Sequence, residues 1–154
     1  MRTKILIVED NTELLALLRL HFKGAGFAIA TATNGIEALK KARSLSPDLI
    51  LLDLVLPELD GFAVCEILRN DPETALIPIL MFTGSGSQFT RLAGLESGAT
   101  DYIAKPVSPK DLVARIKGLL RPQPASKLDT AWRAQDNIAL EPIGRIEPSS
   151  SLSV

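Results

Sequence analysis

The sequence predicts an α/β domain in which five parallel strands form a doubly wound sheet. Two runs, Ile5–Val8 and Leu49–Leu52, contain only apolar residues and are too short for helices. Such runs are typical of strands buried on both faces of a sheet. Every predicted strand is followed by a segment with apolar residues at helical spacing. This strict alternation favours a parallel sheet with helices on both faces and right-handed crossovers.

The first strand, Ile5–Val8, ends in the acidic pair Glu9-Asp10. Asn11 or Thr12 can cap the helix that follows, because short polar side chains accept hydrogen bonds from free N–H groups at a helix start. The apolar face of this helix consists of Leu14, Leu15, Leu18 and Phe22. The helix is predicted to stop at Gly24 and Gly26.

The second unit comprises a predicted strand over residues 27–32 and a helix that ends before Pro47. The strand is closed by Thr33-Asn34-Gly35, a typical turn sequence. Ile36, Leu39 and Ala42 recur at helical spacing and predict the inner face of the helix.

The third strand, Leu49–Asp53, is followed by a turn cluster over residues 57–61 and by a helix over about residues 62–69. Asp71-Pro72 breaks that helix. Residues 77–83 form the next apolar run and predict the fourth strand.

A glycine- and serine-rich segment, residues 84–87, leads into a short fourth helix over about residues 88–96. Asp101–Lys105 is predicted to be the last strand. Pro109 opens the last helix, because proline fits the first helical turn. The apolar side of this helix consists of Leu112, Ile116, Leu119 and Leu120.

Composition excludes several classes of protein. Hydrophobic residues make up 46% of the 154 residues and the net charge is −1, which argues against a disordered chain and against nucleic-acid binding through bulk charge. The single cysteine, Cys65, excludes an internal disulfide and suits a reducing cytosol. No stretch matches a signal peptide or a membrane span. We therefore expect a cytoplasmic protein that contacts neither membrane nor nucleic acid.

The domain is predicted to occupy residues 1–121. Residues 122–154 contain four prolines and the run Ser149–Ser151, with scattered apolar residues. A segment of this size cannot build an independent core. We therefore expect residues 122–154 to be a flexible tail without a domain of its own.

Polar residues follow the ends of four predicted strands. Glu9 and Asp10 follow the first strand, Asp53 ends the third, Thr83 the fourth and Lys105 the fifth. Because parallel strands all end at the same edge, these five side chains are predicted to converge there, where open α/β sheets bind their ligands.

The converging residues suit metal-assisted phosphoryl chemistry. Three carboxylates repel one another unless a cation is present, and oxygen ligands favour Mg²⁺ or Mn²⁺ over zinc. Asp53 can then act as a nucleophile towards a phosphoryl group. Lys105 and the metal would neutralise the charge of the transferred group, and the Thr83 hydroxyl could donate a hydrogen bond to it.

These residues stand in motifs that, in this order, are similar to the receiver domain of two-component response regulators, the family of the chemotaxis regulator CheY. The resemblance covers residues 4 to about 121. It rests on four pieces of sequence: Ile7-Val8-Glu9-Asp10-Asn11; Asp53-Leu54-Val55-Leu56-Pro57 with Asp60-Gly61; Thr83-Gly84; and Gly98-Ala99-Thr100-Asp101-Tyr102-Ile103-Ala104-Lys105-Pro106.

The resemblance implies a CheY-like, flavodoxin-like (βα)5 fold with strand order 2-1-3-4-5. It implies that Asp53 is the phosphoacceptor for a histidine kinase or a phosphotransfer protein. The implied Mg²⁺ ligands are Glu9, Asp10, Asp53 and the carbonyl of Val55. Thr83 and Lys105 would bind the phosphoryl group, Tyr102 would turn inward on activation, and the Lys105–Pro106 bond would be cis.

Two positions depart from the family pattern. Leu56 stands where methionine is usual, a change that conserves apolar volume. Gly84 stands where alanine is usual, so we expect a looser loop there and a change in the size and speed of the switch.

The resemblance implies a signalling domain that catalyses only its own phosphorylation and dephosphorylation. Phosphorylation would alter the surface of the fourth helix, the fifth strand and the fifth helix, which would bind a downstream protein or form a homodimer.

Two other hypotheses stay open: a receiver fragment of a longer DNA-binding regulator or hybrid kinase, and a scaffold that dimerises without phosphate. A phosphatase of the haloacid dehalogenase type is disfavoured, since Val55 stands where that class needs an acid. Flavin binding is disfavoured because Glu9 and Asp10 would repel its phosphate.

Overall fold

The computed structural model describes residues 2–84 and 88–121. In this part of the chain five strands alternate with five helices. They are β1 (Lys4–Val8), α1 (Thr12–Gly24), β2 (Ala28–Ala32), α2 (Gly35–Leu45), β3 (Leu49–Leu52), α3 (Gly61–Asn70), β4 (Ile79–Thr83), α4 (Gln88–Glu96), β5 (Asp101–Ala104) and α5 (Pro109–Leu120). The predicted tail, residues 122–154, lies outside the described residues, so its flexibility stays a prediction.

All five strands are parallel and lie in the order β2-β1-β3-β4-β5. This is the doubly wound, flavodoxin-like order, and the predicted fold class is confirmed. Val8 of β1 pairs with Leu52 of β3, so the two strands end at the same level. The residues that follow them, Glu9 and Asp53, are therefore neighbours across the sheet edge.

The sheet separates two apolar layers, because successive side chains of a strand point to opposite faces. Leu6 and Val8 of β1 belong to one layer, whereas Ile5 and Ile7 belong to the other. The first layer packs against α2 and α3 through Ala38, Ala42, Val64, Cys65 and Leu68. The second packs against α1 and α5 through Leu15, Leu18, Phe22, Leu112 and Ile116. Burial on both faces explains why β1 is apolar from Ile5 to Val8, β3 throughout, and β4 from Ile79 to Phe82.

Four helices in the described ranges begin at polar caps, and at the start of α5 the Ser108 hydroxyl accepts a hydrogen bond from the Asp111 N–H at 3.0 Å. The side-chain oxygens of Asn11, Asn34 and Asp60 accept hydrogen bonds from backbone N–H groups in the first turns of α1, α2 and α3, at 3.0, 2.8 and 3.0 Å. Asn11, rather than Thr12, is thus the cap of α1. Asp60, part of the turn cluster predicted from the sequence, lies at the surface and also fixes the start of α3.

Several strands are shorter than the apolar runs that predicted them. β4 begins at Ile79 instead of residue 77, since Pro78 has no N–H group for the ladder. β2 begins at Ala28 and β5 ends at Ala104, one residue inside each predicted bound. The Lys105–Pro106 peptide bond is cis, as the resemblance implies.

Arg69 stabilises the loop between α3 and β4 through side-chain hydrogen bonds. Its guanidinium donates hydrogen bonds to the carbonyls of Ala75, Ile77 and Gly98 at 3.1, 2.7 and 2.7 Å, and a longer one to the Thr100 hydroxyl at 3.3 Å. The bonds join the end of α3 to the segments that enter β4 and β5. None of the helices in the described ranges is long and apolar enough to span a bilayer.

Candidate functional site

The backbone places two carboxylates at the carboxyl edge of the central strands. Glu9 N–H donates to the carbonyl of Ala32, and Asp53 N–H donates to the carbonyl of Val8, each at 3.0 Å. These bonds continue the sheet ladders one residue beyond β1 and β3. Glu9 and Asp53 are 2% and 5% exposed, whereas the neighbouring Asp10 is exposed. The site is therefore buried on the sheet side and open at Asp10.

The carboxylates of Glu9, Asp10 and Asp53 form one cluster, as the strand ends predict. Each contributes an oxygen that lies within 4.8 Å of the other two. Like charges this close disfavour one another's ionised forms unless a cation lies between them.

Lys105 supplies positive charge to the cluster. Its ammonium lies 2.7 Å from Glu9 Oε1 and 3.3 Å from Asp53 Oδ2. The N–H of Lys105 donates to the carbonyl of Thr83 at 2.8 Å, which ties the start of the β5–α5 connection to the end of β4. The predicted convergence of Glu9, Asp53 and Lys105 is thus a direct contact between elements that are far apart in sequence.

Burial and this ion pair shift two pKa values. Desolvation raises the pKa of Glu9, against the opposing effect of its hydrogen bonds from Lys105 and from the Asn11 N–H. Desolvation alone would lower the pKa of Lys105, but its contacts with Glu9 and Asp53 outweigh that effect and raise it. Lys105 is therefore held in its charged form beside Asp53.

Val55 lies on the loop between β3 and α3. Its N–H donates to Asp53 Oδ1 at 3.3 Å, so backbone and carboxylate are close neighbours. Its side chain is 66% exposed. The Gly61 N–H donates to the carbonyl of Leu54 at 2.8 Å and closes the loop onto the first residue of α3.

Thr83 and Tyr102 lie on neighbouring strands, but not both at strand ends. Thr83, fully buried, is the last residue of β4 and pairs with Ala104. Tyr102 is the second residue of β5 and pairs with Met81. Since Met81 and Thr83 are two residues apart on β4, they point to the same face of the sheet. Tyr102 therefore lies one step back from the edge, on the face that Thr83 shares.

The Tyr102 side chain points into the protein in this structure. It is 7% exposed and belongs to the apolar layer with Met81. Its hydroxyl is buried and has no hydrogen-bond partner among the described residues. Burial raises the pKa of this phenol. An unpaired buried hydroxyl is costly, so a rearrangement that gives it a partner would be favoured.

Sequence reasoning missed one neighbour of the site. The ammonium of Lys105 lies 5.0 Å from the centroid of the Phe82 ring, within the range of a cation–π contact. Phe82 is buried and precedes Thr83, so strand alternation directs it to the opposite face. Its position just before a polar strand end is the sequence signal that could have identified it.

The donor set suits a hard divalent cation. Three carboxylates are grouped within reach of one ion, and the exposed Asp10 leaves one side of the cluster open to water. Oxygen ligands with access for water match the preference of Mg²⁺, which keeps part of its hydration shell in proteins. The residues present therefore fit such an ion.

The fold and this acidic edge define a class of α/β domain with a candidate divalent-cation site at the carboxyl edge of its sheet. The family model for the response regulator receiver domain matches residues 5–117. The chain therefore belongs to the receiver domain family of two-component response regulators. Phosphorylation and Mg²⁺ are typical of this family, and its members interact with histidine kinases or phosphotransfer proteins.

Known proteins agree with this assignment. The alkaline phosphatase synthesis transcriptional regulatory protein PhoP of Bacillus subtilis is 46% identical over 121 residues, which are 79% of this chain and 50% of PhoP. The chemotaxis response regulator CheY4 of Vibrio cholerae is 30% identical, with a TM-score of 0.73, over 77% of this chain and 98% of that one.

A third relative carries a metal. The receiver domain of the sensor histidine kinase PA1611 from Pseudomonas aeruginosa, with a magnesium ion coordinated in its active site cleft, is 28% identical with a TM-score of 0.73. The match covers 78% of this chain and 98% of that domain. The chain spans about half the length of the curated relatives it matches, such as PhoP.

Proposed function

We propose that Asp53 accepts a phosphoryl group from the phosphohistidine of a sensor histidine kinase or a phosphotransfer protein. One observation carries the proposal: at a carboxyl edge of the sheet, Lys105 pairs with both Asp53 and Glu9, and Asp10 completes the acidic cluster. An oxygen of Asp53 forms the bond to phosphorus as the phosphorus–nitrogen bond breaks. The electron pair of that bond stays on the imidazole nitrogen of the donor.

Glu9, Asp10, Asp53 and the carbonyl of Val55 would hold Mg²⁺ or Mn²⁺. When bound, the ion supplies positive charge that offsets the charge of the carboxylates and of the transferred group. The residues of the chain prepare the site for it: burial fixes Glu9 and Asp53, and the exposed Asp10 faces water.

Lys105 and Thr83 would bind the phosphoryl oxygens. The Lys105 ammonium is held charged beside Asp53, where it can exchange a carboxylate partner for a phosphoryl oxygen. The Thr83 hydroxyl, at the end of the neighbouring strand, can donate a hydrogen bond to the same group. The domain would thereby catalyse its own phosphorylation, and attack of water on the acyl phosphate would reverse it.

Replacing Asp53 with asparagine tests the phosphoacceptor assignment. With acetyl phosphate and Mg²⁺, or with a cognate kinase, the wild-type domain should be labelled and Asp53→Asn should not, as read by phosphate-affinity electrophoresis. Asp60→Asn is the matched control, because asparagine caps α3 as well as aspartate does. Undiminished labelling of Asp53→Asn would refute the assignment.

We further propose that the phosphoryl group switches the α4-β5-α5 surface. A phosphoryl group adds a charge of about −2 and three acceptor oxygens. Thr83 would move towards it. Tyr102, whose hydroxyl has no partner among the described residues, would rearrange on the same face of the sheet. A downstream partner would then meet a changed surface.

In Thr83→Ala, partner affinity should no longer respond to phosphorylation, whereas Thr83→Ser should retain the response. A full response in Thr83→Ala would contradict the switch.

The same surface can join two copies of the domain. On this surface of each copy, the Arg115 guanidinium pairs with Asp101 of the same chain at 2.7 Å. Leu92 of α4 is 58% exposed. Sedimentation of the phosphorylated and unphosphorylated domain measures this directly: phosphate-dependent dimerisation is expected, and Leu92→Asp should abolish it. A monomer in both states would leave only a different protein as partner.

The main proposal for the whole protein is a cytoplasmic receiver that acts through protein contacts without touching nucleic acid. A second candidate is the receiver portion of a DNA-binding regulator, favoured by the match to half of the transcriptional regulator PhoP. The length of the native reading frame separates the two, since a DNA-binding regulator encodes an output domain in addition to its receiver domain. A gel-shift assay of the full native protein, with and without phosphorylation, tests DNA binding itself.

A further inference from the structure

Two glycines hold the loop that carries Asp53. The loop, residues 53–60, connects β3 to α3, and the first residues of α2 and α3, Gly35 and Gly61, both lie buried against it. A Cβ at Gly61 would lie 2.5 Å from the carbonyl oxygen of Asp53 and 2.7 Å from Leu54 Cα. Gly61 therefore allows the start of α3 to contact the backbone of the phosphoacceptor directly.

Gly35 makes a similar contact from a different helix. A Cβ at Gly35 would lie 2.5 Å from the carbonyl oxygen of Leu59 and 2.9 Å from both Leu59 Cβ and Val64 Cγ2. The nearest of these atoms belongs to backbone, which cannot turn aside as the end of a long side chain can. The backbone of Leu59 is thus in contact with α2 only because residue 35 has no side chain.

Leu59 lies next to the strained part of the loop. Its N–H donates to the carbonyl of Pro57 at 2.8 Å, two residues back, and the residue between them, Glu58, has a φ of 73°. Three-residue turns of this hand are rare and strained, so they persist where the surroundings hold them. The contact with Gly35 lies beside this turn and restricts its movement.

We propose that Gly35 is a positioning residue for the phosphorylation site. It acts through the backbone of Leu59, which holds the strained turn at Glu58 and thereby the path of the chain from Asp53 through Val55. The inference rests on the proposed function, in which Asp53 and the carbonyl of Val55 bind the metal. It adds a residue of α2, distant in sequence from every ligand, to the parts that set metal affinity.

The test is Mg²⁺ affinity in Gly35→Ala, measured by calorimetric titration of the unphosphorylated protein. The methyl group must displace the backbone of Leu59, and loss of a supporting contact around a metal site weakens binding at least about tenfold. Labelling by acetyl phosphate should fall by a similar factor at low Mg²⁺ and recover at saturating Mg²⁺. Glu58→Gly, which frees the turn to adjust, should restore most of the affinity when combined with Gly35→Ala.

Two controls separate positioning from general damage. Gly118→Ala makes the same change in α5, where no described atom would lie within 4 Å of the new Cβ, and should leave Mg²⁺ affinity unchanged. Ala42→Gly perturbs the buried face of α2 away from the loop and should lower stability without weakening Mg²⁺ binding. If Gly35→Ala folds poorly, adding Val64→Ala makes room beside the methyl, and the weaker Mg²⁺ binding should persist in that folded double variant.

The outcomes distinguish this inference from the proposed function. A wild-type protein that neither binds Mg²⁺ nor accepts phosphate at Asp53 would overturn both. A wild-type protein that does both, together with Gly35→Ala or its Val64→Ala double variant binding Mg²⁺ within twofold of wild type, would overturn the role of Gly35 alone. Equal weakening in Ala42→Gly would also overturn it, because general destabilisation would then account for the effect.

Discussion

Replacing Lys105 with methionine is expected to destabilise the metal-free domain far more than the loss of an exposed salt bridge does. The ammonium lies 2.7 Å from Glu9 and 3.3 Å from Asp53, whose side chains are only 2% and 6% exposed. Methionine retains an unbranched side chain of similar length above the ring of Phe82 and removes the charge. The two buried carboxylates then have no cation between them.

The structure allows an estimate of the cost. Removing one partner of a buried ion pair costs about 3–5 kcal/mol, because the other charge stays buried without compensation. Since the Lys105 side chain is 23% exposed, water offsets part of this loss. We therefore take the lower end, about 3 kcal/mol, which corresponds to a change of roughly 150-fold in the unfolding equilibrium constant.

Urea unfolding at neutral pH, first with a chelator and then with saturating Mg²⁺, measures this change. With the chelator, Lys105→Met should lose the full amount. With Mg²⁺ the difference from wild type should shrink, because the cation takes the place of the ammonium and stabilises the folded state by mass action. Mg²⁺ should bind the variant more tightly than wild type, whereas phosphoryl transfer to Asp53 should be slower.

Arg115→Met is the matched control. Its pair with Asp101 has a similar length, 2.7 Å, but the arginine side chain is 43% exposed, and pairs of this kind contribute less than about 1 kcal/mol. If Lys105→Met were no more destabilising than Arg115→Met, or if Mg²⁺ did not narrow its deficit, the reasoning from burial would be refuted.

Three further predictions concern stability. Tyr102 is the chain's single tyrosine, and burial raises the pKa of its phenol, so an absorbance titration should show ionisation at a higher pH in the folded domain than in the unfolded chain. Because the folded state keeps this proton after the unfolded chain has lost it, the free energy of unfolding should fall as the pH rises above about 10. Arg69→Met removes hydrogen bonds to three carbonyls and should cost about 2–3 kcal/mol in urea unfolding, with faster amide exchange around Ile77 and Gly98. Glu58→Gly should stabilise the domain by about 0.5 kcal/mol in the same assay, since relief of the positive φ outweighs the added entropy of the unfolded chain.

Each of these predictions has a result that contradicts it. Ionisation of Tyr102 at the same pH before and after unfolding would show that burial does not protect the phenol. A loss below about 0.5 kcal/mol in Arg69→Met would mean that water replaces its bonds at no cost. Glu66→Gly, on the exposed face of α3, is the control for Glu58→Gly and should be destabilising by about 1 kcal/mol. Similar losses in both variants would show that the turn at Glu58 is unstrained.

The element order could be read from local patterns. The runs Ile5–Val8 and Leu49–Leu52 are strands in the structure, and five alternating units form the parallel sheet that alternation predicts. Such patterns report backbone hydrogen bonding and the period of burial, both of which are properties of short segments. The predicted bounds were less accurate at β4. The apolar run starts at residue 77, but the strand begins only at Ile79, after Pro78.

The meeting of the site residues was also predictable, because topology alone brings the ends of parallel strands to one edge. Glu9, Asp53 and Lys105 do meet there. The position of Tyr102 was harder to predict from the sequence, since a strand's register against its neighbour depends on how the helices pack. The structure places it beside Met81, one step behind the edge.

The amino-acid sequence by itself thus determined the order of the elements, the family and the set of polar residues at the sheet edge. Only the tertiary structure decided that Lys105 joins two buried carboxylates, that the Tyr102 hydroxyl is buried, and that Gly35 of α2 contacts the backbone of Leu59. The physical reason is range. Strand and helix patterns arise from neighbours in the chain, whereas contacts at 2.7–3.3 Å between distant segments depend on how the whole domain packs.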